Sequence, residues 1–161
     1  MAEQIPVPAV VFLFARGVPV ADILCVEEDD TVRTLAESIL QADGFNTLSA
    51  STVDQARALI ESDKNIDVLF TEVGLLGDVQ AGLTLAQEAV KRRPDLAVLY
   101  TSAQAVTDGM KELFAENSAF LLKPYTADQL TTSLVVHFGL RPLGATISML
   151  PKQPQDRSDG P

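Results

Sequence analysis

The chain has 161 residues, 47% of them hydrophobic, which is enough for one domain with a substantial core and too few for two ordinary ones. Its net charge of −10 argues against a surface that tracks nucleic-acid phosphates and against docking on anionic membranes, and leaves a basic partner surface open. The single cysteine, Cys25, can build neither a disulfide framework nor a cysteine metal site, so it reads as a core residue in a reducing compartment.

Residues 1–20 are apolar and punctuated by proline. The run over 7–15, broken by Pro8, is too short to span a bilayer, and the start lacks the basic region of a secretory signal. A cytoplasmic protein is expected. This segment could add a strand, pack on a partner, or mark an upstream start of translation.

From residue 21 to 138 short apolar runs alternate with amphipathic stretches. Ile23-Leu-Cys-Val26 is a buried-strand signal. Asp29 or Asp30 can cap the next helix, whose inward stripe is Val32, Leu35, Ala36, Ile39 and Leu40, and Gly44 ends it. The exposed face of that helix is expected to hold Arg33. Residues 45–49 form a second strand. Thr52-Val-Asp-Gln55 is a capping box opening a helix with Val53, Ala56, Leu59 and Ile60 inward. Asp67-Val-Leu-Phe-Thr71 is a third strand, followed by a glycine-bearing loop over 74–82. The helix after it closes at Lys91-Arg-Arg93, three cations that suit a helix C-terminus. Residues 96–101 form a fourth strand and 107–115 a short helix. Ala119-Phe-Leu-Leu122 is a fifth strand, and Thr126-Ala-Asp-Gln129 a second capping box before a helix bearing Leu130, Leu134 and Phe138. Residues 139–161 read as a flexible, proline-rich tail.

Five strands alternating with five helices predict an α/β fold, a parallel sheet covered on both faces. Sites in such sheets form beyond the carboxyl ends of the strands. There the sequence places Glu27, Glu28 and Asp29, then Thr71 and Glu72, then Thr101 and Ser102, then Lys123 and Pro124. Converging carboxylates repel unless a cation compensates, and oxygen donors of this kind suit Mg²⁺.

In their order on the strand ends, Ile23-Leu-Cys-Val-Glu-Glu-Asp-Asp-Thr-Val-Arg33, Asp67-Val-Leu-Phe-Thr-Glu-Val73, Val98-Leu-Tyr-Thr-Ser-Ala103 and Phe120-Leu-Leu-Lys-Pro-Tyr125 resemble the response regulator receiver domain of bacterial two-component signalling. The resemblance covers about residues 21–138. It implies a flavodoxin-like, three-layer doubly wound sheet of five parallel strands in the order 2-1-3-4-5 with five helices. It also implies Mg²⁺ ligands at Glu27, Glu28, Glu72 and the Gly74 backbone carbonyl. Ser102 and Phe120 match the family's switch residues, and Lys123, before a cis Pro124, matches its phosphoryl-binding lysine. Glu72 stands at the phosphoacceptor position, where the family has aspartate, and Leu76 stands where a proline is usual.

Glutamate is longer by about 1.5 Å, whereas reactive constellations tolerate roughly 0.5 Å of misplacement. The expectation is therefore a non-enzymatic, single-domain signalling protein that docks on partners independently of phosphorylation. The partner would be a histidine kinase or another regulator, or a second copy in a homodimer. Docking would use the face spanning residues 107–137, with Thr107 at one end and His137 at the other. A conventional phosphorelay receiver is one alternative. A haloacid-dehalogenase-type phosphatase is another, since Glu27-Glu-Asp-Asp-Thr31, Ser102 and Lys123 superficially fit it. That family's nucleophile is aspartate, its later acidic pair is missing here, and there is no room for a cap domain. The bland readings are that Glu27 to Asp29 merely favour a helix N-terminus and that Lys123 is a solvated loop lysine.

Overall fold

Each apolar run becomes a strand and each amphipathic stretch a helix in the computed structural model, which describes residues 20–142. The order is β1 (Asp22–Val26), α1 (Asp30–Ala42), β2 (Asn46–Ala50), α2 (Val53–Glu61), β3 (Val68–Glu72), α3 (Ala81–Arg92), β4 (Ala97–Ser102), α4 (Asp108–Lys111), β5 (Ser118–Leu122) and α5 (Ala127–Phe138). The sheet is parallel throughout, in the order β2-β1-β3-β4-β5, the expected flavodoxin-like arrangement. Most of the expected N-terminal extension and C-terminal tail lies outside the described residues.

Because side chains alternate across a strand, each strand feeds two cores. Leu24, Val26, Leu69, Val98 and Tyr100 pack with α2 and α3 on one face. Ile23, Cys25, Val68, Phe70, Ala97 and Leu99 pack with α1 and α5 on the other. Cys25 is the buried core residue expected, and burial pushes its thiol pKa up.

Local chemistry sets the helix ends. The Asp29 side chain accepts from the Thr31 and Val32 amides at the start of α1. At its end Gly44 takes φ 87°, and the Gly44 and Phe45 amides return to Gln41 and Leu40, a Schellman closure. The α5 capping box is complete, from Thr126 to Gln129 and back. In α2 the return bond shifts by one residue, since Gln55 accepts from the Ser51 amide and hydroxyl.

Several expectations are corrected. Leu35 is 61% exposed, so the inward stripe of α1 narrows to Ala36 and Leu40 with Val32 and Ile39 at its margins. Arg33 is not on the open face: its side chain is only 15% exposed, folded back to donate to the Glu27 carbonyl at 2.8 Å and to pair with Asp30. Arg93 does not serve its own helix end. Its guanidinium donates to the carbonyls of Ile60, Ser62 and Lys64, tying off the C-terminus of α2. The fourth helix, expected over 107–115, is a single turn capped by Thr107, followed by i→i+3 turn bonds from the Leu113 and Phe114 amides to the Met110 and Lys111 carbonyls and by the Phe114 ring stacked on Tyr100. The third helix starts at Ala81, so Gly82 lies in its first turn instead of the preceding loop.

Gly82 fixes how closely α3 approaches the sheet. A Cβ on it would sit 1.7 Å from the Glu72 carbonyl oxygen and 2.9 Å from that of Val73, an overlap that backbone on both sides must relieve. Gly109 in α4 has nothing within 4 Å of a Cβ. Urea denaturation of Gly82→Ala is expected to show a loss of about 3 kcal/mol or more. Gly109→Ala, by contrast, should gain about 0.5–1 kcal/mol.

Candidate functional site

Strand ends deliver the site. Glu27 leaves β1, Glu72 closes β3, Ser102 closes β4, and Lys123 follows β5 and continues the ladder with its amide on the Ser102 carbonyl at 2.8 Å. The Lys123–Pro124 peptide is cis, as expected. Lys123 is not a solvated loop lysine. Its side chain is only 17% exposed, and its ammonium lies 2.6 Å from Glu27 Oε2 and 3.4 Å from Glu72 Oε1.

Glu27 is 8% exposed and fully partnered, its second oxygen accepting from the Asp29 amide at 3.1 Å. Glu72 has the weaker share of Lys123. Burial lifts its carboxyl above the ordinary value of 4.5; Lys123 opposes that rise, and the charges of Glu27 and Glu28 add to it. Ser102 Oγ accepts from the Gln104 amide at 3.1 Å and shapes the turn after β4. Phe120 packs half-buried against Phe114, which stacks on Tyr100 at 4.3 Å. Tyr100 Oη accepts from the Ala115 amide.

Glu28 departs from expectation. It is exposed and turned to the loop after β3, where one oxygen accepts from the Leu76 amide at 2.7 Å. That loop is a tight hairpin in which Leu75 and Asp78 exchange backbone bonds, with Leu76 at φ 52° and Gly77 at φ 81°. Two consecutive positive φ values are the signature of a type I′ turn. A left-handed leucine costs about 1–2 kcal/mol, and Glu28 helps to hold it.

The expected Mg²⁺ site of Glu27, Glu28, Glu72 and the Gly74 carbonyl does not fit this arrangement. Glu27 and Glu72 both face Lys123, and Glu28 is engaged elsewhere. Among the described residues no group of three His, Cys, Asp or Glu side chains is placed to hold a metal ion. An ammonium supplies the positive charge that converging carboxylates require.

Three features escaped the sequence. Tyr125 lies edge-on to Phe70 with burial pushing its hydroxyl up to about 12. Thr101 Oγ1 is buried without a hydrogen-bond partner. Both line, with Glu27, a cavity of about 10 Å³, room for roughly one water. The left-handed turn at Leu76 carries only the weak signal of Gly77, because turns of this type favour Asn-Gly.

The model of the response regulator receiver domain matches residues 23–135. The chain belongs to this family. The phosphatase reading of the same residues falls with that match. Among curated relatives, the receiver is 26% identical over 138 residues to the alginate biosynthesis transcriptional regulatory protein AlgB of Pseudomonas aeruginosa, covering 86% of this chain and 30% of that one. It is 29% identical over 116 residues to the sensor kinase CckA of Brucella abortus, covering 71% of this chain and 12% of that one. The receiver thus spans less than a third of the length of either. Among solved structures, NtrX of Brucella abortus superposes with a TM-score of 0.65 at 29% identity, over 75% of this chain and 27% of that one. The chemotaxis protein CheY4 of Vibrio cholerae does so with 0.65 at 18% identity, over 74% and 99%, a likeness of fold. No helix among the described residues is long and apolar enough to cross a membrane.

Lys123→Met leaves Glu27 buried without its cation, and chemical denaturation should show a loss of about 3 kcal/mol. Glu72 binds its proton more tightly folded than unfolded, so its contribution is present below pH 4.5 and lost as pH rises through its lifted value. The stability of Glu72→Gln relative to the natural chain should therefore rise from pH 4 to pH 7. A flat difference across that range would show that Glu72 is not raised.

Proposed function

We propose that this receiver signals by protein–protein docking, independently of phosphorylation and without enzymatic activity, in the cytoplasm. One observation carries the reading. Glu72 stands at the position that the family resemblance assigns to the phosphoacceptor, and its carboxylate already lies 3.4 Å from the lysine that would bind a phosphoryl group. Its extra methylene moves the acceptor oxygen by about 1.5 Å, and the paired carboxylates leave no third acid for a divalent ion. An anionic phosphoryl donor would meet Glu27 and Glu72 with Lys123 already shared between them, and the charge of Glu28 adds to the repulsion.

The chain's own groups then hold a fixed state. Lys123 binds and orients Glu27 and Glu72, and Ser102 keeps the start of the β4–α4 connection turned. The docking face comprises α4 with the turn after it, β5 and α5, where Leu113, Leu122 and Val136 are 38%, 50% and 70% exposed. Its partner is a histidine kinase or another regulator of a two-component pathway, or a second copy; the relatedness to a sensor kinase and to a transcriptional regulatory protein supports this class.

Incubation with acetyl phosphate and Mg²⁺, followed by intact mass measurement, is expected to give no phosphoryl adduct on the natural chain. Glu72→Asp restores the shorter carboxylate and should acquire one. A stable adduct on the natural chain would refute phosphorylation independence.

A further inference from the structure

A cleft of about 360 Å³ opens beside Glu72, between the hairpin after β3 and the connection from β4 to α4. That volume lies within the range of sites that take a small ligand or a single large side chain. Its walls include Val79, Val106 and Met110, and its polar lining includes Glu72, Asp78 and Ser102. We propose that this cleft receives a cationic side chain, a lysine or arginine flanked by apolar residues of a partner protein, with the cation on Glu72. The inference rests on the docking reading, since a phosphorylated Glu72 would repel nothing cationic but would no longer be a free carboxylate.

The charge of the cleft selects the occupant. Among the described residues, Glu72 and Asp78 are its ionisable lining residues, and no lysine, arginine or histidine lines it. An anion there would face two carboxylates. A purely apolar occupant would desolvate Glu72 further without giving it a partner, which is costly for a carboxylate. Glu72 is under-neutralised as it stands: Lys123 makes its short contact, 2.6 Å, with Glu27 and stays 3.4 Å from Glu72. A second cation would complete what Lys123 leaves undone, with a charge-assisted bond in a partly desolvated setting.

The walls ask to be covered. Val79 in the lining is 73% exposed, and Leu76, at the hairpin tip beside the cleft and outside its lining, is 62% exposed. Leu76 also holds a left-handed backbone at φ 52°. An exposed leucine in that conformation carries strain and gains no burial, so the free protein draws no benefit from it. Covered by a partner's apolar residues, the same side chain contributes to binding. Strain of this kind is characteristic of ligand clamps and switch regions. The overall charge of −10 further favours a basic partner.

The test titrates the isotopically labelled full chain with n-butylguanidinium and n-butylammonium as side-chain probes. n-Pentanol serves as the neutral isostere and n-butyrate as the anion, all at constant ionic strength. The expected result is a saturable set of amide shifts at Gly74, Gly77 and residues 102–106 with the two cations only. In Glu72→Gln, with its circular dichroism unchanged, apparent affinity for the cations should fall about tenfold. Equal shifts from n-pentanol, a saturable response to n-butyrate, or no saturable response to either cation overturns the inference. If the cations fail while acetyl phosphate still leaves no adduct, the cleft assignment is wrong and the docking reading stands. If an adduct forms on Glu72, both fall.

Discussion

The ammonium of Lys123 sits where β1, β3 and β5 end, and it makes their juxtaposition tolerable. Without it, Glu27 and Glu72 would place two partly buried negative charges side by side at the sheet edge. The division of its charge is uneven, and much of the site follows from that. Glu27, at 2.6 Å, is fully satisfied and takes part in capping α1 through the Asp29 amide. Glu72, at 3.4 Å, keeps a lifted pKa and lines an open cleft. A divalent ion would have needed the same carboxylates that the lysine holds.

Around this pair the loops have settled into one arrangement. Glu28 grips the Leu76 amide, the Leu75–Asp78 hairpin closes on itself, and Gly82 lets α3 press against the end of β3. Each of these contacts is local, and each opposes movement of the β3–α3 connection. Together they tie the β3–α3 connection to β1 and to the end of the sheet.

The strand runs, the capping residues and the order of the elements were legible in the sequence because each rests on a short-range rule: alternation, a cap three residues from its amide, a glycine after a helix. The members of the site were legible for the same reason, since a residue at the end of a buried strand has few places to go. What escaped depended on partners distant in sequence. Glu28 reads as a ligand beside Glu27 until the loop 48 residues later offers it an amide. Arg93 reads as a dipole partner for its own helix until the end of α2 arrives beside it. Gly82 looks like a loop residue because only the carbonyl of Glu72, across a turn, gives the reason for it. The weak fourth helix gave little away, because four helical residues carry no periodicity.

The two walls of the cleft differ in mechanical character. One is the hairpin, braced by Glu28 and fused to the sheet through the close contact at Gly82. The other leads into a single helical turn with no buried residue, whose own backbone bonds are local and which meets the sheet through the Phe114 ring on Tyr100 and the Ala115 amide on the Tyr100 hydroxyl. Segments with few buried apolar contacts and much exposed surface open at the lowest free energy. The cleft is therefore a vice with one fixed jaw and one compliant jaw, and any change in its width is borne by the aromatic stack, which continues to Phe120 on the edge strand. Whatever enters beside Glu72 would be felt first at β5.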